Sequence, residues 1–564
     1  MEKKKFITID GLPVEINGES NLLELIRKAG IKIPTFCYHS ELSVYGACRM
    51  CMVENERGML MAACSTAPRE GMDIRTNTER LRRYRKNILE LLLANHCRDC
   101  TTCENNGSCK LQELARRFNI SGVRFPNTQP EPKLDTSSVS IVRDSAKCIL
   151  CGDCVRVCNE VQHVGAIDFV FRGSRMKIAT AFDRPIAESP CVGCGQCAAV
   201  CPTGAIVVKS DIEKVWKALE DKDVKVSVQI APAVRVAVGQ ELKMGVGKSV
   251  MGKIVAALHR MGFDDVFDTV TGADLTVLEE SEEFLGRVAE GGKFPLFTSC
   301  CPAWIQYCEK NFPELLPNVS SCKSPMEMFA AIIKEQAKLS SRRHFHVAIM
   351  PCTAKKFEAA RDEFKHDGNP DVDAVLTSQE LIRMIKEAGI AFDELAPEAV
   401  DVPFSGVSGA GVIFGVTGGV TEAVLRRVSS DKSRAALANI SYCGVRGMEG
   451  VKEATIPYGD IEVKIAVVSG LANADKLIRK IQAGEAFYHL VEVMACPGGC
   501  VNGGGQPFGH SEVKFKRAEG LYEVDGESSI KRSEENAVAT ALYQGLLKGK
   551  VHELLHVSYV KGDA

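Results

Sequence analysis

Phe294-Pro295-Leu296-Phe297-Thr298-Ser299-Cys300 reads as a short apolar strand that runs straight into a cysteine, with a second cysteine, Cys301, directly behind it. The same join recurs in Val347-Ala348-Ile349-Met350-Pro351-Cys352 and in His489-Leu490-Val491-Glu492-Val493-Met494-Ala495-Cys496. Two more apolar runs of strand length, VKVSVQI at 224–230 and VKIAVVSG at 463–470, end without a cysteine. Amphipathic helical stretches lie between them, which predicts an α/β domain on a largely parallel sheet. Open sheets of that kind carry their chemistry at strand carboxyl ends. Cysteines at such ends predict a site there.

Upstream of residue 224 the sequence is of another kind. A chain of 564 residues exceeds one core and predicts three to five domains. Its net charge of −2 argues against a nucleic-acid or anionic-membrane partner, and Lys3–Lys5 read as a solvated end. No run approaches a membrane span. Met1–Lys5 pass directly into a strand-like FITID stretch with no apolar leader, so the expectation is a cytoplasmic protein with reduced thiols. Sixteen of the 24 cysteines precede residue 202, in clusters that point to metal or redox chemistry rather than to disulfides.

Residues 4–18 read as strand, turn, strand, followed by a helix with Leu22, Leu23, Leu25, Ile26 and Ala29 on its apolar side. Cys37, Cys48, Cys51 and Cys64 then follow C-x10-C-x2-C-x12-C. A close pair with two outliers suits a plant-type 2Fe–2S cluster, although that type spaces its first pair differently. Zinc is the alternative, and zinc prefers two close pairs.

A basic amphipathic helix over roughly 77–94 leads to His96, Cys100, Cys103 and Cys109, spaced H-x3-C-x2-C-x5-C. Alone, such a set is more often zinc; between iron–sulfur segments it predicts a 4Fe–4S cluster. Cys97 is out of register and reads as a spare thiol. Residues 121–140, rich in Pro, Ser, Thr and Asn, predict a linker.

Cys148, Cys151, Cys154 and Cys158 follow C-x2-C-x2-C-x3-C, and Cys191, Cys194, Cys197 and Cys201 repeat it before Pro202. This is the two-cluster bacterial ferredoxin signature, in which the fourth cysteine of each run serves the other cluster. One 4Fe–4S set is then Cys148, Cys151, Cys154 and Cys201, and the other Cys191, Cys194, Cys197 and Cys158. So many redox centres imply a wire, with a consumer or source of electrons downstream. A charged helical segment, 209–223, bridges to the α/β region. There Gly247-Lys248-Ser249 lacks the first glycine of a phosphate loop, since Leu242 stands in its place. Gly409-Ala410-Gly411 lacks the third glycine of a dinucleotide fingerprint, since Phe414 does.

Three segments are specific: Thr298–Trp304 (TSCCPAW), Met350–Glu358 (MPCTAKKFE) and Glu492–Cys500 (EVMACPGGC), the last continuing as VNGGGQP to Pro507. They resemble the hydrogen-activating domain of iron-only (FeFe) hydrogenases. The accessory arrangement resembles the large clostridial type, so the likeness spans almost the whole chain. The resemblance implies a multidomain α+β and α/β protein, with ferredoxin-like iron–sulfur domains followed by an α/β hydrogenase catalytic domain. The expected domains are 1–78 (2Fe–2S, β-grasp), 79–120 (4Fe–4S on one histidine and three cysteines), 138–209 (two-cluster ferredoxin), 224–510 (catalytic) and 511–564 (small-subunit-like).

It further implies reversible interconversion of protons and electrons with hydrogen. The cofactors would be one 2Fe–2S cluster, three accessory 4Fe–4S clusters and an H-cluster, a 4Fe–4S unit joined to a two-iron subcluster with CO, cyanide and dithiolate ligands. Cys301, Cys352, Cys496 and Cys500 would hold the H-cluster, with Cys500 bridging to the subcluster. Lys355 would hydrogen-bond a cyanide, and Met494 and Pro232 would also contact the cofactor. Cys300 would pass protons along Glu280, Ser320, Glu283 and Arg287. Glu279 and Glu282 share that acidic stretch and read equally well as a solvated helix face.

Ala303 and Met326 depart from the glycine and glutamine frequent in the family, and neither removes a ligand. Cys308, Cys322 and Cys443 read as buried small hydrophobes. The implied partners are ferredoxin or a flavin- and NAD(P)-binding subunit, and maturation proteins for the two-iron unit. Two readings compete. The first 210 residues resemble the electron-input end of respiratory NADH dehydrogenase large subunits, and a non-catalytic sensing or iron–sulfur assembly relative would share the cysteine motifs. The hydrogenase segments oppose the former; Cys300, Lys355 and the matched glutamates oppose the latter.

Overall fold

Phe6–Ile9 and Leu12–Glu15 pair antiparallel, with Ile9 opposite Leu12 across Asp10 and Gly11. Both turn residues have positive φ, as a two-residue hairpin of this type requires. Asp73–Arg75, Met52–Asn55 and Leu60–Ala62 complete a five-stranded sheet. The helix Leu22–Lys28 buries Leu22, Leu23, Leu25 and Ile26 in the same core. The computed structural model describes residues 4–559 except 129, 130, 340, 367, 430, 443, 459, 460 and 510.

The basic helix is Glu79–Ala94, started by the Thr78 side chain, which accepts from the Leu81 amide. The charged segment forms the helix Ile212–Glu220. Among the described residues, the linker-like stretch contributes only the short strand Leu134–Asp135.

In the α/β region the strands form two four-stranded sheets and the short hairpin Lys365–His366/Asn369–Pro370, where the sequence pattern predicted one sheet. Val224–Ile230 lies between Asp265–Asp268 and Arg343–Met350, with Ala374–Thr377 outside, all parallel. Leu490–Met494 lies between Leu296–Phe297 and Ile461–Ser469, both parallel to it. Val451–Tyr458 closes that sheet as an antiparallel edge. Local periodicity carries no information on which distant runs pair, so one sheet and two look alike in the sequence.

The opening FPLFTSC run yields a strand of only two residues, Leu296–Phe297. Pro295 has no N–H for the ladder. After the Thr298 amide donates to the Val491 carbonyl (3.1 Å), the chain turns into the helix Pro302–Asn311. Proline suits that first helical position because its missing donor would be unpaired anyway.

The long helix Val270–Glu290 crosses Pro325–Ala337 closely at Gly272, where a Cβ would stand 2.2 Å from the Pro325 carbonyl oxygen. Beyond residue 510, the helices Ser511–Glu527, Ala537–Gln544 and Val551–Leu555 pack on the catalytic domain. Leu554 and Leu555 share a core with Phe329, Ile332 and Cys322. No described helix is long and apolar enough to cross a membrane.

Candidate active site and the path to it

The two sheets bring three cysteine-ended strands to one place. Cys301 follows Leu296–Phe297, Cys352 follows Arg343–Met350, and Cys496 follows Leu490–Met494. Cys500 opens the turn Cys500–Asn502. The four thiols feel one another: Cys496 is raised by burial first, then by Cys352, Cys301 and Cys500. Burial likewise pushes Cys352 up to about 12. Only a bound cationic group would hold such a set as thiolates. Among the described residues, no three His, Cys, Asp or Glu side chains converge as a single ion requires. Thiols around a volume rather than a point fit a multi-iron cluster better than zinc.

Lys355 lies beside this cage. Its Nζ donates to Glu358 Oε2 (2.5 Å) and to the Cys300 carbonyl (3.3 Å), while Ser324 Oγ donates to the same Glu358 oxygen (3.0 Å). Burial works against the ammonium charge, but Glu358 outweighs it and the pKa rises. Met494 packs with Cys300, Ala273 and Phe414. Pro232 starts the turn after Val224–Ile230, next to Ala233, which shares an apolar cluster with Cys500. Ala303 and Met326 are buried, and the Met326 carbonyl accepts from Gln229 Nε2 (3.0 Å). Cys308 and Cys322 are wholly buried; Cys443 lies outside the described residues.

From Cys300 the acidic residues lead outward along the Val270–Glu290 helix. Burial, then Glu280, raises the Cys300 thiol well above its ordinary value, so it stays protonated. Glu280 is fully buried and pushed up to about 8, by burial first and by Glu283 second. Ser320 Oγ donates to Glu283 Oε2 (2.8 Å), and Arg287 donates to Glu283 Oε1 (2.7 Å). The outer half of the line is therefore hydrogen-bonded. The inner half is not: both Glu280 oxygens lack a hydrogen-bond partner, although the Ser320 hydroxyl is near enough to favour its charged form.

Glu282 is exposed and pairs with Arg427, as a solvated face would. Glu279 turns inward, toward Tyr543 and His556 of the C-terminal extension. The sequence reading missed both; the only signal was His552 and His556, spaced four apart on an amphipathic stretch.

The accessory cysteines gather into separate groups. Cys148, Cys151, Cys154 and Cys201 line one cavity, and Cys158, Cys191, Cys194 and Cys197 another, so each run lends its fourth cysteine across. His96, Cys100, Cys103 and Cys109 line a third, together with Cys97. His96 Nε2 is buried there without a partner. In the N-terminal domain the thiols of Cys37 and Cys48 contact each other, as do those of Cys51 and Cys64.

These groups also touch in sequence. Cys151 packs with Cys37, and Arg156 Nη2 donates to the Cys37 carbonyl (2.8 Å). Thr203 lines both the His96 cavity and the Cys148 cavity. Gln196 Nε2 donates to Cys496 Sγ (3.2 Å) and to the Asn502 carbonyl (3.0 Å), joining the ferredoxin-like domain to the cage. Gly504 permits that contact: a Cβ there would sit 2.3 Å from the Cys194 carbonyl oxygen.

Comparison with known proteins matches 224–504 to the family described as iron only hydrogenase large subunit, C-terminal domain, and 511–562 to iron hydrogenase small subunit. Residues 5–79 match a 2Fe-2S iron-sulfur cluster binding domain, and 147–205 a 4Fe-4S dicluster domain. Residues 85–124 match the NADH-ubiquinone oxidoreductase-G iron-sulfur binding region. The chain is 43% identical to the NADP-reducing hydrogenase subunit HndD of Solidesulfovibrio fructosivorans, over 98% of each chain. It is 37% identical to iron hydrogenase 1 of Clostridium pasteurianum, over 99% of this chain and 100% of that one. A solved FeFe-hydrogenase structure from Chlamydomonas reinhardtii superposes with a TM-score of 0.55 at 39% identity, covering 63% of this chain and all of the other. End-to-end likeness of this kind, on a chain whose strand ends assemble a four-thiol cage, makes the protein a member of the iron-only (FeFe) hydrogenase family, an oxidoreductase acting on hydrogen.

Proposed function

We propose that electrons reach the cage through the ferredoxin-like domains and that protons reach it through Cys300. In this reading Cys301, Cys352, Cys496 and Cys500 would hold a 4Fe–4S cluster joined to a two-iron unit. That group, when bound, supplies the redox and hydrogen-binding chemistry. The gathered accessory residues would hold one 2Fe–2S and three 4Fe–4S clusters, in domains spanning 1–78, 79–120 and 138–209. Domains 224–510 and 511–564 would carry and cover the catalytic centre.

The chain's own residues do the remaining work. Lys355, anchored by Glu358, would offer a fixed ammonium to an anionic ligand of the two-iron unit. Cys300 would hold a proton beside the reacting centre, and Glu280, neutral at pH 7, would be the next holder. The carrying observation is the Gln196 contact with Cys496, which ties one accessory set to the cage. Hydrogen bonds to cluster sulfurs tune their potentials. Plant-type ferredoxin clusters, at about −400 mV, lie near the proton/hydrogen couple at neutral pH, so such a wire would carry electrons either way.

For the partner, the 43% identity to a subunit of an NADP-reducing hydrogenase and the oxidoreductase-G-like segment favour a flavin- and NAD(P)-binding subunit. The setting would be the cytoplasm, with maturation proteins supplying the two-iron unit. The test is hydrogen-dependent reduction of ferredoxin and of NADP+ by the purified chain alone and by whatever co-purifies from its host. The chain alone should reduce no NADP+, having no nucleotide-binding motif, and the co-purified complex should. Reduction of ferredoxin but never NADP+ by that complex would favour ferredoxin instead.

A further inference from the structure

The outer end of the acidic line poses a chemical problem. Arg287 anchors Glu283 but cannot be deprotonated in a protein, so it cannot itself exchange a proton with water. A titratable group stands on the other side of Glu283. Ser321 donates to Glu283 Oε2 from its amide (3.0 Å), and its Oγ lies within reach of both that oxygen (3.3 Å) and His556 Nδ1 (2.9 Å). His556 Nε2 lies 3.0 Å from Glu279 Oε2, and Tyr543 donates to Glu279 Oε1 (2.5 Å). The extension places this histidine firmly. Lys323 N donates to the Leu555 carbonyl (2.8 Å), Val557 N donates to the Ser321 carbonyl (2.7 Å), and Cys322 and His556 form a β-bridge. The ring of exposed His552 lies 5.2 Å from that of His556.

We propose that His556, contributed by the C-terminal extension, is the proton exit of the relay, exchanging protons between solvent and Glu283 through Ser321. The inference rests on the relay reading given above. Its chemistry follows from the hydrogen-bond inventory. The Glu279 carboxylate can only accept, so it fixes the proton on Nε2 and leaves Nδ1 as the nitrogen that exchanges a proton with Ser321. In the neutral state the Ser321 hydroxyl donates to Nδ1. The His556 side chain keeps 13% of its surface exposed, and when the ring is protonated there Nδ1 donates to Ser321 Oγ instead, and the hydroxyl turns to Glu283. Passing the Nδ1 proton to Ser321 while Ser321 passes its own to Glu283 moves one proton inward with nothing oxidised or reduced. Hydrogen oxidation runs the same steps in reverse. The groups facing His556 are Glu279, Ser321, Tyr543, His552 and the Cys322 backbone, with Glu283 one step beyond.

The test compares the matured full-length enzyme with His556→Gln, Glu279→Gln and Glu283→Gln, measuring hydrogen oxidation in dilute buffer from pH 5.5 to 9. Glu283 keeps some exposure of its own, so His556→Gln should slow turnover roughly tenfold or less, against 10²–10⁴ for removing a proton carrier outright. Added imidazole should restore the lost rate, since it can carry the proton that the missing ring carried. Glu279→Gln should slow turnover as well, because the acceptor that holds the proton on His556 Nε2 is gone. A His556→Gln enzyme with unchanged rate, beside an inactive Glu283→Gln, would overturn the exit and leave the relay standing. So would a loss that imidazole does not rescue, since that marks a structural role. Full activity in Glu283→Gln would instead overturn the relay on which the inference rests.

Discussion

Glu280 links stability to function in a way that can be measured. Burial lifts its carboxyl from 4.5 to about 8, so ionising it in place costs about 5 kcal/mol at 1.36 kcal/mol per pH unit. In the unfolded chain it ionises above pH 4.5. The stability tied to its protonated form is therefore complete below that pH and is lost as pH rises to about 8. By pH 7 the loss amounts to about 3 kcal/mol. Glu280→Gln keeps the shape and removes the titration. At pH 7 the variant should be the more stable protein by about 1–2 kcal/mol, after about 1–2 kcal/mol for an amide left unpaired in that pocket. The gain should shrink toward zero or below near pH 5. In a domain of this size each kcal/mol moves the midpoint by about 2–4 °C. Anaerobic calorimetry of the catalytic-domain transition between pH 5 and 8.5 would read it, alongside turnover, which should fall by about 10² or more. A stability difference that does not grow with pH, or has the opposite sign, would refute the buried neutral carboxyl.

Cys300→Ala should abolish turnover yet leave every cluster in place, whereas Cys301→Ala should lose or scramble the catalytic cluster; infrared bands of bound CO and cyanide, read with hydrogen turnover, separate the two. Cys300→Asp should keep part of the activity, because a carboxylate can also carry a proton. Gln196→Leu removes a donor to the Cys496 sulfur, so the catalytic 4Fe–4S midpoint should fall by about 40 mV if about 1 kcal/mol of that bond favours the reduced state. Spectroelectrochemical titration checks this, and an unmoved midpoint would remove Gln196 from the electron path.

Much of this was legible in residues alone because cysteine spacing and strand-end position are local signals. The repeated spacing at Cys148 and Cys191 is such a local signal, and these cysteines line two neighbouring cavities. The strand runs ending at Cys300, Cys352 and Cys496 foretold a site at strand ends. Their division between two sheets was not legible, because Leu296 meets Leu490 across almost two hundred residues. Nor was Glu279, whose inward turn depends on Tyr543 and His556 arriving from a helical extension far along the chain. Side chains that only long-range packing brings together leave no period in the sequence.

The cage proposed on Cys301, Cys352, Cys496 and Cys500 should become active only with a two-iron unit that the chain does not build itself. The direct measurement is hydrogen evolution and metal content of anaerobically purified protein, made with and without the machinery that assembles that unit. Both preparations should be rich in iron and poor in zinc, and only the first should evolve hydrogen. Robust hydrogen evolution from the second, or zinc as the main metal in either, would contradict it.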